Sequence, residues 1–166
     1  GVGILTSNEL GNKNYLDLTI APFTPLQIET YLKQFTNIEF GKDFTNLLTV
    51  TIDGEDSRDF DDAISVERIE KGGYRVGVHI ADVSHFVRPG TPLDTEAAER
   101  GNSIYLADKV IPMLPEQLSN GVCSLRPRED RLAVSVYLTF DKNAKVVKRE
   151  FAKSIIRSNL RLNYQQ

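Results

Sequence analysis

The chain has 166 residues, of which 40% are hydrophobic, 26% charged and 8% aromatic, a balance that fits one soluble globular domain or part of one and excludes disorder and collagen-like repeats. Twenty basic against 23 acidic residues give a net charge of −3, which argues against a nucleic-acid binder of the strongly basic kind. No apolar run approaches the roughly 18 residues of a membrane span, no basic-then-apolar leader is visible, and the one cysteine, Cys123, excludes an internal disulfide and a Cys/His zinc domain; a cytoplasmic setting is expected.

Residues 1–21 are polar and loop-like, with a short apolar alternation at Leu16, Leu18 and Ile20 that suggests a strand. Thr24-Pro25 is a helix-start signal, and Leu26, Ile28, Tyr31, Leu32 and Phe35 share one face, so a helix is expected there. Residues 1–46 are read as a lead-in segment. Strands are expected at residues 47–52, 63–66 and 74–80, the last two joined around Gly72-Gly73. Thr91-Pro92 opens a second helix that Gly101 stops. Pro112 and Pro115 make the segment after it a rigid loop. Leu132, Val134, Val136, Leu138 and Phe140 alternate strictly, residues 141–144 have turn chemistry, and residues 146–156 return as a strand.

Charge is unevenly placed. Residues 1–50 carry −2, residues 51–70 carry −6 and residues 71–166 carry +5, and six acids fall among the ten residues 53–62. Carboxylates so crowded raise one another's pKa unless a cation neutralises them, and Mg²⁺ takes oxygen ligands, completing its shell with waters and phosphate oxygens. An exposed acidic turn gives the same count. The flanks weigh against it: an apolar strand enters before Asp53 and another leaves after Asp62, with Phe60 as an expected buried anchor. An EF-hand is excluded, because no register puts Gly at the sixth loop position with acids at the first, third and fifth.

The run TIDGEDSRDFDDAI resembles the catalytic-domain signature of the ribonuclease II, ribonuclease R and Dis3 (RNB) family. The likeness continues through HIADVS, PLD, RGNSIY, IPMLP and LSNGVCSL, in the family's order and in wording nearest its ribonuclease R branch. The resemblance implies a processive, Mg²⁺-dependent hydrolase, with Mn²⁺ as a substitute, that removes 5′-mononucleotides from the 3′ end of single-stranded RNA. It places the four active-site aspartates on Asp53, Asp59, Asp61 and Asp62. Asp53, Asp59 and Asp62 would hold metal, directly or through water, and Asp61 would be the carboxylate most tied to chemistry. Tyr105, by usage alone an ordinary half-buried core tyrosine, matches the family's aromatic that packs against the 3′-terminal nucleotide.

Other residues have plainer readings. Glu55, Asp56 and Arg58 are expected to form loop-shaping ion pairs, Asp82 to accept structural hydrogen bonds, His79 to be a core or edge histidine, and Cys123 a small buried hydrophobe. Seven basic residues in 141–166 suit a solvated hairpin face and phosphate contacts equally. Residues 47–166 are expected to be the first part of an RNB catalytic domain truncated at its C-terminus. The missing part, by resemblance, holds an arginine, a glutamate and an aromatic of the active site, and cold-shock and S1 modules flank the domain. The fold expected is α+β: a mixed, largely antiparallel sheet with helices packed on it, the acidic cluster at a sheet edge, and apolar surface left uncovered, so that the piece self-associates and degrades RNA slowly or not at all. A noncatalytic RNA-binding module and a metal-binding structural domain are the alternatives.

Overall fold

A computed structural model describes residues 41–70 and 72–165. The strand expected near Leu16 and the helix expected from Thr24 lie outside the described residues. In chain order the elements are β1 (Lys42–Phe44), β2 (Thr49–Asp53), β3 (Asp62–Arg68), β4 (Tyr74–Ala81), α1 (Val83–Phe86), α2 (Pro92–Arg100), β5 (Ile104–Tyr105) and β6 (Val110–Ile111). An irregular helical segment, Leu118–Val122, precedes β7 (Asp130–Phe140), β8 (Val146–Arg157) and β9 (Leu160–Asn163). Local chemistry sets the boundaries. Thr91 caps α2 by accepting from Asp94 N, Pro92 fills the first turn, and Gly101 ends the helix with φ 74°. Asp141 Oδ1 accepts from Asn143 N and Lys145 N in the β7–β8 turn.

The sheet is mixed, in the order β1-β8-β7-β4-β3-β2-β9. Its inner pairs are antiparallel, whereas β1 with β8 and β2 with β9 are parallel. Both outer pairs are made by the same two stretches of chain: Lys42 faces Ser154 and Asp53 faces Asn163. At the junction Thr49 N donates to Asn159 Oδ1 at 2.8 Å, and Asn159 N returns to Thr49 O at 2.8 Å. The strand order therefore closes on itself.

Closure decides which face is buried. A narrow closed sheet leaves an interior that side chains fill, and the buried set is mostly small (Thr49, Thr51, Ala63, Ser65, Ala81, Ala133, Ser135 and Ser154), with His79, Tyr137 and Ile156 as its larger members. The alternation expected on β7 is present, but its branched residues sit on the outer face, where Val134 is exposed along with Ile52, Val66, Ile80, Phe151 and Leu160. Inside, His79 Nδ1 lies 2.6 Å from Ser135 Oγ and His79 Nε2 lies 2.9 Å from Ser65 Oγ, while Ser135 Oγ reaches Ser154 Oγ at 2.6 Å. Burial lowers the His79 pKa to about 4, so the ring is neutral and fully bonded. The hydrophobic core joins the sheet residues Ala63, Ala81, Ala133 and Ile156 to Phe86 of α1, Leu93 of α2, and Phe60, Leu118, Cys123 and Leu125 around the acidic loop.

Candidate active site

The acidic run is the connection from β2 to β3. Asp53 ends β2 and Asp62 begins β3, so the carboxylates lie at the mouth of the closed sheet and not along a free edge. The intervening loop is fixed by its backbone. Ser57 N donates to Gly54 O at 3.2 Å, and Ala81 N to Asp61 O at 2.9 Å. Ser124, fully buried, donates from Oγ to Arg58 O at 2.8 Å and accepts from Phe60 N at 3.1 Å, while Leu125 N reaches Phe60 O at 2.8 Å. Phe60 is buried as expected and anchors the loop between Asp59 and Asp61. Glu55, Asp56 and Arg58 make none of the ion pairs found among the described residues; the expected pairing is replaced by these backbone bonds.

Asp59 and Asp61 line one cleft of about 440 Å³ together with Tyr105, Ser103, Ile80, Val83, Met113 and Leu114. Desolvation raises the Asp61 pKa first, followed by the charges of Asp59, Asp62 and Asp53. Asp53 is raised too, by desolvation and then by Asp62. Its Oδ2 is buried without a protein hydrogen-bond partner. The four aspartates thus share one electrostatic field, with Asp59 and Asp61 at the cleft wall and Asp53 and Asp62 at the strand ends. No three acidic, His or Cys groups among the described residues stand in preformed metal-holding geometry. The donor set nevertheless fits Mg²⁺: all ligands are oxygens, one buried oxygen lacks a partner, and Mg²⁺ is ordinarily held by one or two carboxylates with waters and substrate phosphate and not by an all-protein cage.

Tyr105 stands between two clefts. It also lines the larger one, about 730 Å³, with residues of the acidic loop. The residue is 68% exposed, unlike a core tyrosine, and its hydroxyl donates to Asp59 Oδ2 at 3.4 Å. The Asp59 charge is the first cause of its raised pKa.

A model of the RNB domain matches residues 41–166. The chain belongs to the RNB family. Ribonuclease R of Thermotoga maritima is 54% identical over 125 residues, covering 75% of this chain and 18% of the relative. Among solved structures, Mycoplasma genitalium RNase R in complex with double-stranded RNA superposes with a TM-score of 0.76 at 35% identity, over 92% of this chain and 28% of that one. Yeast Ssd1, a pseudonuclease, gives a TM-score of 0.70 at 21% identity, over 87% of this chain and 17% of that one, and shares the fold. The chain spans less than a fifth of the length of the curated relatives it matches.

Within this RNB segment the remaining candidates have structural positions. Asp82 is buried and caps α1, accepting from Ser84 Oγ at 2.7 Å and His85 N at 3.2 Å and pairing with Lys153 Nζ at 3.1 Å. Cys123 is buried, its thiol pKa pushed up to about 12 by desolvation. Of the seven basic residues near the C-terminus, Lys148 pairs with Glu150, Lys153 with Asp82 and Arg157 with Asp130. Arg161 instead turns to the acidic loop, where its Nη2 donates to Gly54 O and Glu55 O. Sequence reasoning missed Ser124 and Arg161 as loop-holding residues. Ser124 lay inside the LSNGVCSL motif, but nothing in the sequence tied either residue to the loop.

Proposed function

We propose that this RNB segment belongs to a cytoplasmic 3′-to-5′ exoribonuclease that hydrolyses RNA from its 3′ end to 5′-mononucleotides, with Mg²⁺, or Mn²⁺ in its place, held by Asp53, Asp59, Asp61 and Asp62. The observation that carries this reading is the cleft that joins Asp59 and Asp61 to the exposed ring of Tyr105. A divalent cation there supplies positive charge against the negative charge that develops on the transferring phosphoryl group. Asp61, at the cleft wall, accepts a hydrogen bond from the attacking water and orients it in line with the scissile bond. Asp53, desolvated and with an unpartnered oxygen, contributes most when a cation replaces the lost hydration. The Tyr105 ring stacks on the terminal base without reading it, a contact worth roughly 1–3 kcal/mol that suits an enzyme accepting any base. Cold-shock and S1 modules elsewhere in the parent chain feed the single strand inward.

The test is a nuclease assay of the full-length parent against its Asp61→Asn variant, with RNA binding measured in parallel. Turnover is expected to fall by about 100-fold or more while binding changes little, the pattern of a group that acts in the transition state. Unchanged turnover refutes the assignment. The 166-residue piece alone is expected to release mononucleotides slowly or not at all. A second reading, a noncatalytic RNA-binding module, predicts metal-independent RNA binding with no product from the parent.

A further inference from the structure

We propose that Arg161 is a positioning residue for the carboxylate set, acting through the loop backbone and the Phe60 ring; this rests on the cation-site reading above. Arg161 lies on β9, facing Thr51 across the parallel pair. Its Nη2 donates to Gly54 O at 2.8 Å and also to Glu55 O. Its guanidinium carbon sits 5.3 Å from the centroid of the Phe60 ring. One side chain therefore holds both arms of the loop: the turn that directly follows Asp53, and the anchor between Asp59 and Asp61. None of the ion pairs among the described residues includes Arg161. Its hydrogen bonds go to carbonyls, so Arg161 holds the loop without occupying an aspartate oxygen. A planar guanidinium can bridge two carbonyls and lie over a ring, whereas a lysine ammonium keeps the charge and loses that geometry.

The sign of the effect separates positioning from charge. A positive group beside Asp53 repels an incoming divalent ion, so if charge alone mattered its removal would tighten binding. Positioning requires the reverse. The experiment measures Mn²⁺ affinity of the chain by electron paramagnetic resonance of the free ion, alongside thermal melting. It compares wild type with Arg161→Gln, Arg161→Lys, Asp61→Asn and Arg157→Gln, the last removing a cation whose partner is the surface residue Asp130. Arg161→Gln is expected to weaken Mn²⁺ binding about tenfold or more, the range seen when groups supporting metal ligands are lost. Arg161→Lys should fall between, and Arg157→Gln should match wild type. Unchanged or tighter binding by folded Arg161→Gln overturns the proposal, as does an equal loss in Arg157→Gln. Should Arg161→Gln fail to melt cooperatively, Arg161→Lys decides, and wild-type affinity there overturns it. If wild type binds no Mn²⁺, or Asp61→Asn binds as wild type does, the cation site itself fails, a result distinct from failure of Arg161 alone.

Discussion

At the scale of single residues, the titrating groups pull stability in opposite directions. His79 is held neutral with a pKa of about 4, below its ordinary 6.5, because burial disfavours the cation. Between those values the unfolded chain binds a proton that the folded chain does not, so this contribution is complete above pH 6.5 and is lost as pH falls toward 4. The span is worth about 3 kcal/mol. Asp53 and Asp61 have raised pKa values, so the folded chain takes up protons there more readily and their mutual repulsion is relieved on acidification. Between pH 7 and pH 4 wild type should therefore lose more stability, or gain less, than His79→Asn when melting is followed across that range; equal pH slopes contradict a neutral buried imidazole. The acidic run was legible in the sequence because crowded like charge between two apolar strands needs a cause, whereas the choice of Asp53, Asp59, Asp61 and Asp62 within it came from the family resemblance. Arg161 and Ser124 were not, because they act on backbone carbonyls and amides of residues 107 and 64 positions away, contacts with no local signature.

At the scale of elements, periodicity located β2, β3, β4, β7, β8 and helix α2, since alternation, Thr-Pro caps and a terminal Gly are local chemistry; the short β1, β5, β6, β9 and α1 carry too few residues for a periodic signal. It did not reveal which face of each strand is buried. That depends on closure by the parallel pairing of residues near 42–53 with residues near 154–163, which no local window contains. Gly77 lies at a crowded point of the interior, where an added Cβ would lie 2.4 Å from Ser65 Oγ, 2.8 Å from His79 Nε2 and 3.0 Å from the Tyr137 ring. Gly77→Ala is expected to cost about 1–3 kcal/mol by overpacking, read from urea unfolding. Stability unchanged within a few tenths of a kcal/mol would contradict a filled interior.

At the scale of the whole molecule, the apolar outer face stands out. Phe151 is 73% exposed and pairs across the sheet with Val136, beside exposed Val134, Ile80 and Val66. Exposed apolar side chains gathered on one face of a sheet drive association. The isolated chain should sediment with increasing mass as its concentration rises, and Phe151→Lys should shift it toward monomer; a concentration-independent monomer contradicts this. Such association would use a face of the sheet other than its mouth, where the acidic loop lies.

The proposed function requires that Asp53, Asp59, Asp61 and Asp62 together hold one or more divalent ions at the mouth of the sheet. Crystals of the protein soaked in Mn²⁺ test it directly by anomalous scattering. A peak within about 2.1 Å of oxygens from at least two of these carboxylates is the expected result, and the absence of any peak there at saturating Mn²⁺ would contradict it.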